Sequence, residues 1–534
     1  MNLPTITRDD GANSDGTVLV VFAPFGTDET LSTYPEGSSL DLAQHPLYQA
    51  LLVVAGQLTH ICALIDLAQK DSFLVEIPAG HPEQVTVTSR WKQNMASPNA
   101  LAGLLHHAHA AHPDAALVLA LEGHGAGYLP DIDARKLTAD YLTNSGKAFW
   151  LLQGEGSLPW KYDGAPPLPT GSPILPTGSP ILPTGSPILP TGSPILPRNH
   201  MPMSTFGLGQ ALNLAQGMGV PRLAVIHFNN CFNMSVEVLH TVAPYADYAT
   251  GYPNYNFFTA GAAYPHVFEQ LRDEGRASSA EVATWFADGN QAVLAGKGFH
   301  PTVGCVVHLA AMAQIAEKID DLADALLAAL RNAPNRPQVL ANIRSAIIDA
   351  QQYDTSQGDF ELETPDELTD IRSLAFTLKS YDLGEFGVHA AADGVIAATH
   401  DIKRYGEHDH PWLKASAVWD FRGDLAMNIF LPDPLLKGLW DWRSPFYLDV
   451  NPDPTKPRVQ PGIISFVQVT DWVDFIIEYH KTGLNDDPLP FLGLRAAAIP
   501  EFPVFNATFV PPDQQPKPAG QSSDYNDPQS PAAA

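Results

Sequence analysis

The feature that most constrains the fold is a regular alternation of short apolar runs with segments of helical spacing along the first half of the chain. Each apolar run has the length of a strand, and the helical segments between them are long enough to cross back over a sheet. This order of elements is typical of an α/β fold with a mostly parallel sheet. The predicted strands are 17–24, 71–78, 116–121, 223–228 and 245–252, and the predicted helices are 46–70, 98–111, 204–217 and 235–243.

A tandem repeat interrupts this pattern. The heptapeptide LPTGSPI occurs four times, starting at Leu168, Leu175, Leu182 and Leu189. Each copy contains two prolines, which remove backbone donors and exclude a continuous helix or a central strand. The repeat therefore predicts an exposed, semi-stiff linker over residues 161–198. An inert expansion within a tolerant loop and a cleavable or mobile segment are both compatible with it.

Changes of pattern predict the remaining boundaries. The α/β domain is split by the linker, and two long amphipathic helices, from Met312 to Arg331 and from Arg336 to Ala350, dominate the region after it. The last residues are rich in Pro, Gln, Ser and Ala, which is typical of disorder. The predicted units are a tail at 1–16, the α/β domain at 17–160 and 199–300, a helical region at 301–383, a mixed α+β C-terminal domain at 384–510 and a disordered tail at 511–534.

Charge and hydrophobicity exclude several classes of protein. The chain has 30 basic and 58 acidic residues, a net charge of −28, whereas nucleic-acid binding needs a cationic surface. No apolar run approaches the length of about 18 residues that a membrane span needs. The first residues contain neither the basic nor the apolar region of a secretion signal, which predicts a cytoplasmic protein. We therefore expect neither a nucleic acid nor a membrane among its partners.

Two of the predicted parallel strands end in residues that can carry chemistry. One is followed by Glu122, Gly123, His124 and Gly125, and the other leads to Cys231. Parallel sheets place their sites at the carboxyl ends of the strands, so an imidazole and a thiol are expected at the same edge. A cysteine nucleophile and its base require this arrangement. A glycine after the histidine lets the backbone approach a substrate, where its N–H can bind an oxyanion.

These segments resemble the clostripain-like cysteine peptidases, which are relatives of caspases, gingipains and legumains. The resemblance is carried by LVLALEGHGAGY and by LAVIHFNNCFNMSVEVLHTVAPYADYATGY, and more weakly by SYDLGEFG, MNIFLPD and TDWVDFIIEYHK. It implies a caspase-haemoglobinase-like three-layer sandwich, followed by a helical insertion and a mixed α+β C-terminal domain. It also implies a cysteine endopeptidase that acts on protein or peptide substrates.

Residue by residue, the resemblance makes Cys231 the nucleophile and His124 its proton-transfer partner. The N–H groups of Gly125 and Cys231 become the oxyanion donors, and the reaction passes through a thioester. No metal or other cofactor is required, although calcium dependence occurs in the family. A catalytically degenerate relative that only binds peptides, and a transpeptidase or ligase that uses the same dyad, are the alternatives. The oligomeric state is left open.

The primary specificity pocket departs from the family pattern. Arginine-directed members carry an aspartate two residues before the cysteine, where this chain has Asn229. An amide offers no counter-charge, and burying a cation without one is costly. We expect either a non-basic substrate residue in the pocket or an acid supplied by Asp131 or Asp133, although both aspartates also suit the cap of a loop.

The resemblance also gives the repeat a candidate role. Several relatives are matured by cleavage between the catalytic histidine and cysteine, and the linker lies in that interval, between Lys161 and Arg198. Processing within the linker is therefore a hypothesis, next to an inert expansion.

The other cysteines and the histidine-rich helix are weaker candidates. Cys62, expected within a helix, and Cys305 are predicted to be small buried residues. No acidic or sulfur ligand lies near the histidines of the helix at 98–111 in sequence, so a solvated polar face is favoured over a metal site. These histidines are His106, His107, His109 and His112.

Overall fold

The structure is a computed structural model, in which most of the repeat-containing region and of the C-terminal third is not described. The repeat linker and the predicted C-terminal tail lie outside the described residues. The description covers residues 3–25, 29–33, 41–67, 72–91, 95, 98–123, 125, 127–128, 203–254, 256, 259–297, 303–353, 368–405, 425–431 and 464–479.

A nine-stranded sheet forms the centre of the described part of the chain, in the order β12-β10-β8-β7-β6-β2-β3-β4-β5, and two small sheets pair β1 with β9 and β11 with β13. The strands are β1 (Thr5–Thr7), β2 (Thr17–Pro24), β3 (His60–Asp66), β4 (Ser72–Ile77), β5 (Thr86–Trp91), β6 (Ala116–Glu122), β7 (Leu223–Asn229), β8 (Ala246–Gly251), β9 (Arg276–Ser278), β10 (Gly304–His308), β11 (Leu368–Asp370), β12 (Lys403–Tyr405) and β13 (Asn428–Phe430).

The sheet is mixed rather than mostly parallel, which corrects the prediction. Its central strands, β8, β7, β6, β2 and β3, are parallel, whereas β4 and β5 on one side and β10 and β12 on the other are antiparallel. The connection from Asp66 to Ser72 is too short to hold the crossover that a parallel pair needs, so β4 turns back along β3. The parallel arrangement is kept where the candidate catalytic residues are.

The predicted helix over residues 46–70 is wrong in its second half. The helix ends at Gly56, and Leu58 adopts a positive φ of 66°, after which the chain enters β3 at His60. Cys62 therefore lies in a central strand rather than in a helix. Apolar residues are continuous through both elements, so their spacing alone did not separate a buried helix from a buried strand.

Helices cover the sheet from both sides. Within the described residues they are α1 (Glu29–Ser32), α2 (Pro46–Gly56), α3 (Pro98–Ala111), α4 (Thr205–Gly217), α5 (Val236–Val242), α6 (Tyr264–Glu274), α7 (Ser279–Lys297), α8 (Met312–Asn332), α9 (Arg336–Asp349), α10 (Ile371–Leu378), α11 (Val388–Ala398), α12 (Ser465–Val469) and α13 (Trp472–Tyr479). None of the described helices is both long and apolar enough to cross a bilayer.

Alternate residues of the strands contribute to two hydrophobic cores, because neighbouring residues of a strand point to opposite faces. Val20 and Phe22 pack into a first core with α3, α4, α5 and α8, whereas Leu19 and Val21 pack into a second core with α2, α6 and α7. The described C-terminal elements α12 and α13 also join the first core. The C-terminal region thus packs on the same core as the α/β part.

Candidate active site

The ends of β6 and β7 lie side by side, as the sequence predicts. The register pairs Glu122 with Asn229, so the loops that follow both strands begin at the same edge of the sheet. Gly125 approaches the second loop so closely that a methyl group on its Cα would lie 2.1 Å from the carbonyl oxygen of Cys231. Only a glycine fits there. His124 lies outside the described residues, as do Asp131 and Asp133.

Cys231 is held in a closed position. Its side chain is buried, with 3% of the residue exposed, and its Sγ makes two contacts with the backbone of Asn256. The Asn256 N–H donates to Sγ at 3.3 Å, and Sγ lies 3.3 Å from the Asn256 carbonyl oxygen. The first contact is available to a thiol or a thiolate, whereas the second needs the S–H donor. A substrate that reaches the sulfur must therefore displace part of this cover.

The residue after Cys231 is strained. Phe232 has a φ of 61°, in the left-handed region that costs a bulky side chain energy. The conformation is fixed from both sides, because the Phe232 N–H donates to the Asn254 carbonyl at 2.9 Å and its carbonyl accepts from Asn428 Nδ2 at 2.8 Å. Asn428 also donates to the Pro253 carbonyl at 2.7 Å. A side chain from β13 thus stabilises the loop that carries Cys231.

Glu237 makes a second connection to β13. It belongs to the segment that carries the family resemblance, and its Oε1 accepts the N–H of Phe430 at 2.9 Å. The helix that contains it, α5, begins at Val236, and Ser235 caps it by accepting from Val238. The predicted helix after Cys231 is confirmed, although it starts five positions beyond the cysteine.

Asn229 belongs to a buried set of polar side chains that we call the polar cluster: Glu122, Asn229, Asn256, Thr259, Tyr264 and Asn290. Asn229 Nδ2 donates to Glu122 Oε1 at 2.9 Å and to the Thr259 hydroxyl at 3.1 Å. Its Oδ1 accepts from Asn256 Nδ2 at 2.9 Å. Since Asn256 also holds the sulfur, hydrogen bonds connect Glu122 to the nucleophile through two amides.

Glu122 is the ionisable centre of this cluster. It is completely buried, and its Oε1 also accepts from the Tyr264 hydroxyl. Burial raises the pKa of Glu122 to about 7, and the hydrogen bonds from Tyr264 and Asn229 only partly offset that rise. Within the part of the chain that the structure describes, its Oε2 has no hydrogen-bond partner. The carboxyl therefore gains or loses its proton near neutral pH, two residues before His124.

Asn290 of α7 closes the cluster from the far side. Its Nδ2 donates to Asn256 Oδ1 at 3.0 Å and to the Tyr252 hydroxyl at 3.2 Å, and its Oδ1 lies 3.1 Å from the Thr259 hydroxyl. Sequence analysis missed Glu122, Thr259 and Asn290 as members of the site. Only the position of Glu122 at the end of an apolar strand was a usable signal, because a carboxylate there cannot be an ordinary surface residue.

A pocket lies on the other side of the nucleophile loop, against the first core, and we call it the apolar pocket. Its polar lining includes Asn230, which is 1% exposed and whose Nδ2 bonds none of the described residues. Asn230 Oδ1 accepts from Asn233 Nδ2 at 2.7 Å. The pocket is lined by Phe22, Pro24, Leu101, Leu121, Glu122, Gly125, Gly127, Met203, Ser204, Thr205, Leu208, Asn230, Asn233 and Val238.

The remaining cysteines and the histidine-rich helix take no part in this arrangement. Cys62 and Cys305 are buried in strands, as expected for structural residues, and burial raises the pKa of both thiols. The helix face is only partly solvated, because His107 Nε2 lies 2.8 Å from Glu76 Oε1 and the rings of His60 and His112 stack. Among the described residues, no group of three potential metal ligands occurs.

Part of the chain matches a known protein family. Residues 198–374, which include Cys231 and the polar-cluster residues that follow it, match the clostripain family. The predicted resemblance is thereby confirmed, and so is the class it implies, a cysteine-type peptidase and hence a hydrolase. A comparison with curated protein sequences gave no match.

Solved structures with a similar chain trace are also cysteine proteases. One is a secreted C11 cysteine protease from Bacteroides thetaiotaomicron in complex with an irreversible peptide inhibitor, with 13% identity, 80% of this chain and 93% of that chain covered, and a TM-score of 0.45. Another is an inactive zymogen of a C11 protease from Parabacteroides distasonis, with 14% identity, coverages of 82% and 98%, and a TM-score of 0.44.

Proposed function

We propose that the protein is a cysteine endopeptidase with an α/β core of the caspase-haemoglobinase type, in which His124 and Cys231 form the catalytic dyad. The observation that carries the proposal is the contact of Gly125 with the backbone of Cys231 at the ends of two adjacent parallel strands. A histidine one residue before Gly125 is attached to a backbone that already touches the nucleophile. This supports an imidazole and a thiol that act on one peptide bond.

The proposed chemistry is acyl transfer in two steps. The sulfur of Cys231 attacks the carbonyl carbon of the scissile bond, and the thiol proton reaches the leaving amine through His124. The N–H groups of Gly125 and Cys231 stabilise the oxyanion of each tetrahedral intermediate. Water then attacks the thioester, gives one proton to the imidazole and releases the acid product, with the sulfur protonated again.

Access to the sulfur requires a local rearrangement. The contacts of Sγ with Asn256 cover the thiol, and both involve backbone atoms of the segment after β8. Displacing that segment breaks two weak sulfur contacts and the Asn256 side-chain bonds to Asn229 and Asn290. We infer that substrate binding moves Asn256, and that the closed form is a resting state.

Covalent labelling tests the proposal directly. A peptidyl acyloxymethyl ketone is expected to add one inhibitor mass to Cys231, and Cys231→Ala is expected to abolish both the label and peptide hydrolysis. Cys305→Ala is the matched control, because that thiol is buried in β10 and should leave labelling unchanged. His124→Ala should lower both rates by about 100-fold or more. Labelling at Cys305, or hydrolysis by Cys231→Ala, would rule the dyad out.

A peptide-binding protein without catalysis is the second candidate, favoured by the burial of Cys231 and by the complete hydrogen bonding of Asn229. Such a protein would bind peptides with the same affinity before and after Cys231→Ala, and it would not react with the electrophile. A transpeptidase or ligase would label but yield products of higher mass when a peptide amine is supplied. Mass spectrometry of the products separates the three functions.

We propose that the polar cluster is the primary specificity pocket, with Asn229 at its floor. Glu122 is a nearer acid than the sequence alone suggested, because it bonds Asn229 directly, whereas Asp131 and Asp133 lie outside the described residues. A basic substrate residue could then be neutralised by Glu122. Profiling a peptide library with wild type, Asn229→Asp and Glu122→Gln tests this, since Glu122→Gln should selectively reduce cleavage after basic residues. If Glu122→Gln reduced cleavage equally after every type of substrate residue, the assignment would be wrong.

We also propose that the repeat linker is a site of maturation. The last described residue before the linker is Tyr128 and the first one after it is Met203, and both are buried. Incubation of wild type and Cys231→Ala, followed by mass mapping of fragments, should give cleavage between 161 and 198 in the wild type alone. An intact wild type with full activity would leave the linker as an inert expansion.

A dependence on calcium is suggested only by the family resemblance. We propose that no metal is required for the acyl-transfer chemistry, since the thiol and imidazole supply nucleophile and base. Activity measured in a chelating buffer and after addition of calcium tests this. A complete and reversible loss in the chelator would contradict it.

A further inference from the structure

The apolar pocket is adjacent to the loop that carries Cys231 and shares Glu122 with the polar cluster. Its lining includes Gly125, which contacts the backbone of Cys231, Asn230, which precedes Cys231, and side chains of α3 and α4 such as Leu101 and Leu208. The polar cluster instead contacts the second core through Tyr264. Cys231 thus contacts a member of each group, Asn256 of the polar cluster and Gly125 of the apolar pocket.

We propose that the apolar pocket binds the side chain of the substrate residue that follows the scissile bond, and that this residue is a medium-sized apolar one. This inference rests on the proposed peptidase function. Successive side chains of an extended peptide point in opposite directions. If the residue before the scissile bond enters the polar cluster at Asn229, the next one points toward the apolar pocket.

The chemistry of the lining selects the occupant. Glu122 is the only ionisable residue among the described lining residues, and it is already bonded to Asn229 and Tyr264. The lining at Leu101, Leu121, Met203, Leu208 and Val238 is hydrocarbon, so a charged substrate group would lose its hydration with Glu122 as the only ionisable neighbour among the described lining residues, which is costly. A Leu or Met side chain instead gains from each buried methylene.

Asn230 provides a specific polar contact. Its Nδ2 is buried and has no partner among the described residues, although its Oδ1 is fixed by Asn233. A buried donor without a partner carries a free-energy cost that a bound carbonyl oxygen would relieve. We assign this donor to a backbone carbonyl of the substrate on the leaving-group side, where it would hold the chain while the side chain fills the pocket.

Substitutions that change the size of the pocket in opposite directions test the proposal. Internally quenched peptides keep the residues before the scissile bond constant and vary the one after it among Ala, Leu, Phe, Asp and Lys. Wild type should prefer Leu to Asp or Lys by about tenfold or more in kcat/KM. Leu208→Phe should lower the Leu-to-Ala ratio by about tenfold, and Leu208→Ala should raise the Phe-to-Leu ratio.

The controls separate pocket effects from folding. Gln210→Phe and Gln210→Ala change an exposed position of the same helix and should keep wild-type ratios. Val238→Ala enlarges the pocket from α5 and should act like Leu208→Ala, while Asn230→Asp should reduce kcat/KM by about tenfold for every peptide. Preference ratios are insensitive to the fraction of folded enzyme.

The outcome also distinguishes this inference from the proposed function. An electrophile that carries only the residues before the scissile bond reports on Cys231 independently of the apolar pocket. Labelling and turnover with equal ratios in wild type, Leu208→Ala and Leu208→Phe would overturn the pocket assignment alone. Absence of labelling and turnover in wild type would overturn both.

Discussion

The two recesses that flank Cys231 differ in how their polar atoms are satisfied. In the polar cluster, Asn229 and Asn256 use their amides for hydrogen bonds to neighbouring side chains, and the cluster is filled by its own members. In the apolar pocket, the walls are hydrocarbon and the Asn230 donor lacks a partner. The polar cluster satisfies its hydrogen bonds without a ligand, whereas the apolar pocket gains a hydrogen bond and buried apolar area when a ligand enters.

The polar cluster and the apolar pocket thus represent two kinds of binding site beside Cys231. A satisfied polar network fixes geometry but must be broken before it can bind, which favours selectivity over affinity. An apolar pocket with one open donor binds without rearrangement of its walls and discriminates mainly by size. The following predictions test whether the two recesses act independently.

The largest effect is expected at Gly125, which lines the apolar pocket and contacts the backbone of Cys231. Gly125→Ala would force the β6 loop away from the Cys231 carbonyl, which lies 2.1 Å from the position of the new methyl group. A displacement of about 1 Å at a catalytic centre lowers kcat/KM by about 100-fold. Gly217→Ala is the control, because a methyl group there meets no atom within 4 Å. Near-normal activity of Gly125→Ala would show that the loops move apart freely.

The second prediction concerns the pH dependence of the polar cluster. The folded-state pKa of Glu122 is raised to about 7 from 4.5, so its protonated form is favoured in the folded protein. Its contribution to stability is present below pH 4.5 and is lost as the pH rises to 7. Relative to Glu122→Gln, the wild type should therefore lose on the order of 3 kcal/mol of unfolding free energy over this range. Urea unfolding at several pH values measures it.

Glu274→Gln serves as the control for that comparison, because Glu274 is exposed at the end of α6. Its unfolding free energy should follow the wild type at each pH. Parallel curves for the wild type and Glu122→Gln would mean that the buried carboxyl titrates like a surface group.

The third prediction removes one bridge within the polar cluster. Thr259→Val keeps the shape but deletes the hydroxyl that accepts from Asn229 and lies beside Asn290 Oδ1. Buried amides left without a partner should cost about 1–3 kcal/mol in unfolding free energy. Thr284→Val, whose hydroxyl bonds the carbonyl of Ala280 in its own helix, should cost less than about 0.5 kcal/mol. Equal costs would indicate that the cluster is not cooperative.

The smallest effect is expected at the edge of the apolar pocket. Asn233→Ala removes the 2.7 Å hydrogen bond to Asn230 Oδ1 and frees that side chain to rotate. We expect KM to rise by less than about tenfold with little change in kcat, since one hydrogen bond contributes about 1 kcal/mol. Asn213→Ala, exposed on α4, should be neutral. A fall in kcat instead would place Asn233 among the residues that act on the transition state.

The sequence predicted the parts of the site that depend on strand order. Apolar runs that stop at Glu122 and Asn229 indicated two strands of one parallel sheet that end at the same edge, and the structure pairs these strands with Glu122 opposite Asn229. The resemblance supplied the family, which the match over residues 198–374 confirms. The antiparallel edges and the boundary between α2 and β3 were missed, because continuous apolar sequence has no distinct period and the short return after β3 gave the only topological clue.

The polar cluster could not have been predicted, because its members come from distant parts of the chain. Thr259 and Asn290 carry no motif, and they meet Asn229 only after α7 packs on the sheet. The positive φ of Phe232 could not be predicted either, because phenylalanine has no preference for the left-handed conformation. Such features depend on tertiary contacts that local propensity does not encode.

The hydrogen bond from Asn428 to the Phe232 carbonyl spans 196 positions of the chain. Because of this contact, the loop that carries Cys231 and the C-terminal region depend on each other, and neither can be removed or redesigned alone. A shortened protein that ends before residue 428 would retain every residue assigned to catalysis, yet would lack the anchor that keeps the turn after its sulfur in place. The C-terminal region, which looks separable in the sequence, is therefore not an independent module.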